Sequence, residues 1–393
     1  MTERPSTLRV FVVTPLGEGG RGGIDRMMDE LRAGIAQRSA AGVDCRFLTS
    51  RGRGSVLLSP LFVAGVMARL LAARLTARAD VVHINLSSDG SASRKMWIAG
   101  FARLLGIPTV IHLHGSRFRA YWESARPRKA RRLRAMFAGA GRVIVLGRAW
   151  GDYVGSKIPS RAADIIVLPN ATRRAAAPGN AARGETAILF LGRLGARKGV
   201  PQLVAALARL PRDPPWRAVL AGDGAVIETR AAIEAAGLSD RVGVPGWAGP
   251  ARVRGLLEAS DVLALPSLDE NLPMSVIEGM AHGLAIVATP AGATGEIIRH
   301  GETGLLVPPG DDRALGGALE TLIRDPELRA RLGAAAKAFH REFLEIDGYV
   351  DRLVAIWREA AGAQLRPRGG AWGEGGAASP RTARVPASES PSA

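Results

Sequence analysis

Short apolar runs alternate along most of this chain with longer stretches whose apolar positions recur at helical spacing. The first runs are Val10–Val13, Cys45–Leu48, Val81–Asn85, Thr109–Leu113, Arg142–Leu146 and Ile165–Leu168. A second series follows at Ala187–Leu191, Ala218–Ala221, Val242–Val244, Val262–Leu265, Ala285–Ala288 and Gly304–Val307. Between them lie helical patterns such as Pro201–Leu210, Val226–Ala236 and Met274–His282. Continuous apolar strands that alternate with helices predict parallel sheets covered on both faces. The two series predict an α/β protein of two doubly wound, Rossmann-like domains, 1–170 and 186–345, facing a central cleft. A polar linker at 171–185 joins them, and the Gly-, Pro- and Ser-rich stretch 362–393 is expected to be a disordered tail.

Composition narrows the class. With 393 residues, 47% of them hydrophobic, the chain can bury two large cores. A single cysteine, Cys45, excludes a disulfide framework and suits a reducing compartment. Cys45 itself is expected to fill a strand core. The N-terminus shows no apolar run of signal-peptide length. The longest such stretch, Val56–Ala68, contains Ser59, Pro60 and Gly65 and falls short of the roughly 20 residues that a membrane span needs. It continues as a basic amphipathic pattern with Arg69, Arg74 and Arg78, suited to a sheet face or a membrane surface.

The formal charge of +17 is unevenly placed. Residues 1–185 hold 30 Lys and Arg against 12 Asp and Glu, whereas residues 186–393 hold 23 against 24. Eight cations, Arg117, Arg119, Arg126, Arg128, Lys129, Arg131, Arg132 and Arg134, crowd one segment with only Glu123 to oppose them. They form either a solvated Arg-rich face or a docking surface for an anionic partner. With 5% aromatic residues and no recognisable binding module, nucleic acid is not the expected partner.

Candidate chemistry begins at Gly17–Gly22, which satisfies G-x-G-x-x-G between a predicted strand and a helix. A dinucleotide-dependent oxidoreductase would also need an acid at the end of the second strand, and Thr49-Ser50 stands there instead. Small residues still let backbone N–H groups approach a phosphate or sugar. In the second half, Arg193 and Lys198 flank a turn before a helix, a fork donor and a point charge suited to a diphosphate. Glu270 and Glu278 are eight apart, one in a strand-to-helix loop and the other about one turn inside the helix. The amides around Pro273, Met274, Ser275 and Val276 offer an anion nest.

Together these residues resemble the GT-B glycosyltransferases, in particular the retaining family 4 (glycosyl transferases group 1). Gly192–Gly199, Ala221–Gly224, Val244–Trp247, the Glu270/Glu278 block, Thr289–Gly292 and Gly301–Gly310 carry the likeness. The resemblance implies sugar transfer with retention from a nucleotide-sugar bound mainly to the second domain. It places Arg193 and Lys198 on the donor diphosphate, Glu278 on the ribose and Glu270 on the transferred sugar. Gly22, Gly23 and Gly222 would also line the donor, and His114, before Gly115, would face the sugar. A final helix, 346–361, would cross back to the first domain.

The chain has no D-x-D, and the cation pair takes over a metal's charge role, so no metal or other cofactor is expected. His112 and His114 could be read as an H-x-H ligand pair, but no third ligand is evident. The surroundings of His83–Gly90 and His112–Phe118 look like polysaccharide-assembly enzymes. The implied acceptor is a saccharide or a polyprenyl-diphosphate-linked saccharide, at the inner face of the cytoplasmic membrane. Another GT-B activity, an epimerase or sucrose-type synthase, could use the same donor motifs.

Overall fold

The computed structural model describes residues 7–20, 22–38, 42–76, 79–175 and 184–362; of the tail assigned to 362–393 all but Gly362, which ends the last helix, lies outside them, as do linker residues 176–183. The chain divides into two compact units, one containing residues up to 169 together with the segment from 347, the other spanning 170–346.

In the first unit, β1 (Leu8–Thr14), β2 (Val43–Thr49), β3 (Val81–Leu86), β4 (Thr109–Leu113), β5 (Arg142–Val145) and β6 (Ile165–Val167) form one sheet, in the order β2-β1-β3-β4-β5-β6. All neighbours are parallel, with Val10 opposite both Cys45 and Val81. The second unit repeats the design with β7 (Thr186–Leu191), β8 (Trp216–Ala221), β9 (Val242–Gly246), β10 (Val262–Leu265), β11 (Ala285–Ala288) and β12 (Leu305–Leu306), ordered β12-β11-β10-β7-β8-β9. Central strands such as β10 and β11 are buried along their whole length, which explains their unbroken apolar runs; β3 and β4 are equally buried but carry His83, Asn85, Thr109 and His112.

Strand order reverses between β1 and β3 in the first sheet and between β7 and β10 in the second. At such a reversal the loops leaving the carboxyl ends of neighbouring strands run to opposite faces and open a crevice. The loops after β1, β7 and β10 are those that carry the glycine run, the Arg193/Lys198 turn and Glu270.

Helices α1 (Gly23–Gln37), α2 (Ser59–Leu75), α3 (Asp89–Leu104), α4 (Phe118–Glu123) and α5 (Pro127–Ala138) belong to the first unit. Val66, Leu70 and Ala73 of α2, Ile98 and Ala102 of α3 and Leu133 and Phe137 of α5 enter one core with Phe11, Ile84 and Ile111 of the sheet. The apolar stretch that begins at Val56 does not end at Arg69. Val56–Leu75 forms 20 residues, long and apolar enough by length and composition to cross a membrane, because Leu and Ala continue between the arginines. Cys45 is only half-buried rather than a core residue.

The last helix, Ile346–Gly362, packs on the first unit. Trp357 is fully buried, and its Nε1 donates to Nδ1 of His83 on β3 at 3.1 Å. Arg142 pairs with Glu359 at 3.2 Å, and Ala360 lies against Gly141. Trp357→Ala should destabilise the first unit by about 3–5 kcal/mol, read as a lowered denaturant midpoint. Trp357→Phe, which keeps most of the volume but orphans His83 Nδ1, should cost roughly 1–3 kcal/mol.

Candidate active site

Each unit gathers its polar chemistry at the carboxyl edge of its sheet. In the second unit, β7 ends in the turn Gly192–Gly195 and a short 3-10 turn at Ala196–Lys198. Gly222, after β8, fixes this turn: a Cβ there would meet the carbonyl oxygen of Gly192 at 1.7 Å, and its N–H donates to Gly246 O at 2.9 Å. Gly222 thus shapes the loop that presents Arg193. Leu194 N and Ala225 N close the same crossing through bonds to Asp223 O and Leu194 O, at 2.6 and 3.0 Å. Arg193 remains exposed beside it.

Lys198 turns inward and pairs with Glu270, both largely buried. The same Glu270 Oε1 accepts from Ser267 Oγ at 2.9 Å, and Thr289 Oγ1 donates to the Ser267 carbonyl. Gly292 makes this anchoring possible, since a Cβ there would lie 2.3 and 2.4 Å from the Glu270 and Asn271 carbonyl oxygens. Arg197 contributes a bond from Nη1 to Asp269 O at 2.9 Å. The helix Met274–His282 starts after Pro273, in extended conformation and with no side-chain cap. Its first amides, those of Met274, Ser275 and Val276, have no partner within the helix and form a site of positive potential. Glu278 sits one turn further on and is buried. His282 ends the helix, its Nδ1 2.8 Å from Glu278 O.

The first unit assembles a polar core around the glycine loop. Asp25, in the first turn of α1, accepts from Leu16 N at 3.0 Å and Gly17 N at 3.1 Å through Oδ1. Its other oxygen, Oδ2, is buried without a hydrogen-bond partner, and burial raises its carboxyl above the usual range. Gly22 caps α1 and Gly23 begins it, with open space where a Cβ of Gly23 would stand. Lys95 of α3 is fully buried, its Nζ 2.7 Å from Ser91 Oγ. Burial, together with the Arg94 charge, lowers its ammonium to about 7, against the opposing attraction of Asp25.

Beside them His83, His112 and His114 form a connected group. Trp357 can only donate, so His83 Nδ1 accepts and its proton resides on Nε2, 3.3 Å from His112 Nδ1. Asn85 donates to Val13 O at 3.1 Å, which leaves its Oδ1 to accept from His114 Nε2 at 2.9 Å. His114 is thereby fixed in one tautomer with Nδ1 as an acceptor. Burial lowers His83 to about 4, and burial with the neighbouring His83 and Lys95 charges lowers His114 to about 3. His112 is fully buried and pushed well below its usual value by burial and the two neighbouring rings. Among the described residues no three His, Cys, Asp or Glu converge as a metal site.

The basic segment is spread over two helices. Arg117 and Arg119 belong to α4 and its cap, where Arg117 reaches Asp89 at 3.4 Å and Arg119 lies over the Tyr153 ring at 4.9 Å. Arg126 caps α5, and Arg128, Arg131, Arg132 and Arg134 project from it, exposed. Lys129 folds over Tyr121 at 4.2 Å. Asp25 and Lys95 have no signature in the linear pattern. One reads as an ordinary first-turn acid and the other as a helix cation beside Arg94. Only the Asp placed directly behind a glycine run hints at a loop anchor.

Two parallel sheets with reversed strand order, each bearing polar loops at its carboxyl edge, define a two-domain α/β protein of the GT-B class. The comparisons agree. The model for glycosyl transferases group 1 matches residues 173–339 and that for a glycosyl transferase 4-like domain matches residues 4–171. Among curated relatives, the 2-deoxystreptamine N-acetyl-D-glucosaminyltransferase of Streptomyces fradiae is 31% identical, over 74% of this chain and 73% of that one. The alpha-D-kanosaminyltransferase of Streptomyces kanamyceticus is 27% identical, over 70% and 77%. A sucrose-phosphate synthase structure from Thermosynechococcus elongatus superposes with a TM-score of 0.75 over 91% of this chain and 100% of that one, at 20% identity. HepE of Anabaena, solved with UDP, gives 0.68 over 88% and 98%, also at 20%. The chain belongs to the group 1 glycosyltransferase family, and its fold is GT-B.

Acid should expose the neutral histidines. Those held near 4 in the fold regain a value of about 6.5 when unfolded. The unfolded chain therefore binds more protons between these limits, and stability falls as pH drops through that window. The slope is about 1.4 kcal/mol per pH unit for each such histidine. Denaturant midpoints recorded across the window should show it, and His83→Asn should flatten the decline; a flat wild-type profile would contradict the neutral assignment.

Proposed function

We propose that the protein is a retaining hexosyltransferase that moves a sugar from a nucleotide-sugar to a hydroxyl of a saccharide acceptor without a metal. The observation that carries this reading is the buried Lys198–Glu270 pair, fixed by Ser267 beside the exposed Arg193. A cation held by a carboxylate and shielded from water keeps its place and needs little reorganisation as a phosphate leaves. Arg193 supplies a fork for the same diphosphate, and the open amides of Met274, Ser275 and Val276 add donors of matching sign. Glu278 binds the ribose and Glu270 orients the sugar hydroxyls. On the first unit, Gly22 and Gly23 allow close backbone approach, and neutral His114 lines the acceptor side.

In this proposal the bond from the sugar's anomeric carbon to the donor phosphate oxygen breaks first, giving an oxocarbenium-like transition state. The acceptor oxygen attacks the same face, and the departing phosphate oxygen takes its proton. The products are the glycoside with retained configuration and the nucleoside diphosphate. Orientation and leaving-group electrostatics supply most of the rate. The HepE structures with UDP, with UDP and glucose and with UDP-glucose support a uridine nucleotide as the first donor to try.

For the acceptor, a lipid-linked saccharide in cell-surface polysaccharide assembly on the cytoplasmic side fits the basic first unit. The Streptomyces fradiae relative, a 2-deoxystreptamine N-acetyl-D-glucosaminyltransferase, favours a second reading, a small aminocyclitol acceptor. A thermal-shift screen of nucleoside diphosphates and their sugars should stabilise the wild type, and Glu278→Ala should lose the response. Lys198→Ala should lower kcat by roughly 10²–10³, and a metal chelator should leave turnover unchanged. Absence of a response to any nucleotide would overturn the proposal, and anomeric NMR of the product tests retention.

A further inference from the structure

The outward side of α2 is apolar where a water-facing helix should be polar. Leu61, Ala64, Ala68, Leu71 and Leu75 are all exposed, at spacings of 3, 4, 3 and 4, and Leu57 is exposed on the 3-10 turn just before the helix. That is one continuous stripe over about four turns. Leu57, Leu61 and Leu75 are 88%, 70% and 79% exposed. The opposite side, Val66, Leu70 and Ala73, is locked in the core of the first unit. The helix is therefore held along the sheet and cannot leave it to cross a bilayer without unfolding that core.

Its neighbour α3 continues the surface. Trp97 is 66% exposed and Leu104 81%, with exposed Gly100 between them on the same side. Arg74 ties the two helices through a 2.9 Å bond from Nε to Leu105 O. Beyond α3 comes α5, and a groove of about 490 Å³ opens among the three helices, lined by Met67, Trp97, Leu104, Arg103, Arg132 and Met136. Arg128 stands one turn before Arg132 on the same side of α5, and both are exposed. The order across the surface is thus apolar, apolar, basic.

We infer that this three-helix face is a monotopic membrane-docking surface. The α2 stripe, Trp97 and Leu104 enter the headgroup–acyl boundary of an anionic bilayer, while Arg103, Arg128 and Arg132 hold its phosphates. Charge selects this occupant. The chain's own segment 363–393 has four arginines against two glutamates and few large apolar residues, so it complements neither half of the face. A second copy would bring the same arginines together. An anionic leaflet satisfies both halves at once, since interfacial helices bury an apolar side about 5–10 Å deep and basic flanks gain from the surface potential. Binding therefore needs α2, and the basic segment alone is insufficient. The inference stands on the surface and does not depend on the transfer reaction.

The test is flotation of the full chain with phosphatidylglycerol–phosphatidylcholine vesicles and with phosphatidylcholine alone, at low and at physiological salt. The wild type should float with the anionic vesicles and retain part of that binding at physiological salt. Leu61→Glu combined with Leu75→Glu should weaken it by at least roughly tenfold, and Arg128→Gln with Arg132→Gln by roughly fivefold per charge. Ile227→Glu, at an exposed apolar position of the second unit, should bind as wild type. All these positions are exposed, and thermal midpoints check that each variant folds. A fluorophore sensitive to polarity, placed at Leu71→Cys in a Cys45→Ser background, should shift to the blue only with anionic vesicles. The inference is overturned if the wild type does not float, or if the leucine pair binds normally so that charge alone holds the protein. It is also overturned if the leucine pair instead abolishes a dimer seen by light scattering without vesicles.

Discussion

A parallel strand cannot return to its neighbour through a hairpin. Each strand here must be followed by a crossover, and the crossover helices must cover the sheet's faces because the strands are apolar on both sides. Polar backbone and side chains that must meet a ligand are thereby driven to the strand ends. The second unit shows how tightly this is enforced. The turn after β8 presses on that after β7 at Gly222, and the turn after β11 presses on that after β10 at Gly292, until only glycine fits at those two positions. The position of Lys198 and Glu270 follows from that crowding as much as from their own ion pair.

Much of this was legible along the chain, for a definite reason. Buried central strands such as Val262–Leu265 or Ala285–Ala288 hold no polar side chain, so they announce themselves as continuous apolar runs. The polar residues at the carboxyl edge of the second sheet are legible because Arg193 and Lys198, and likewise Glu270 and Glu278, lie close in sequence within single strand–loop–helix units. The polar core of the first unit is illegible because its contacts span long separations: His83 meets Trp357, Asn85 meets Val13 and His114, and Asp25 shares its surroundings with Lys95. No local pattern marks a buried lysine. The length of α2 was hidden differently, since arginines among Leu and Ala read as a polar interruption although they flank the apolar stripe without breaking it.

The two carboxyl edges deal with charge in opposite ways. In the second unit a cation and a carboxylate neutralise one another, and a neighbouring arginine stays in solvent. In the first unit burial removes charge by moving protons: the histidines are neutral and Lys95 is brought to the neighbourhood of neutrality. Much of the basic character of the first unit lies on its helices, with Arg51 and Arg53 at the end of β2.

The first unit is built from the two extremities of the described chain. Its sheet is complete by Val167, yet Trp357 and Ala360 arrive only after the whole second unit has been made. During synthesis the early strands must wait, with the side of β3 around His83 uncovered, while some 180 further residues are added. The second unit, continuous from 170 to 346, has no such delay. Vectorial translation therefore reverses the order of assembly: the later-born half can finish first, while the earlier half keeps the His83 side of its sheet uncovered until the last helix has been made.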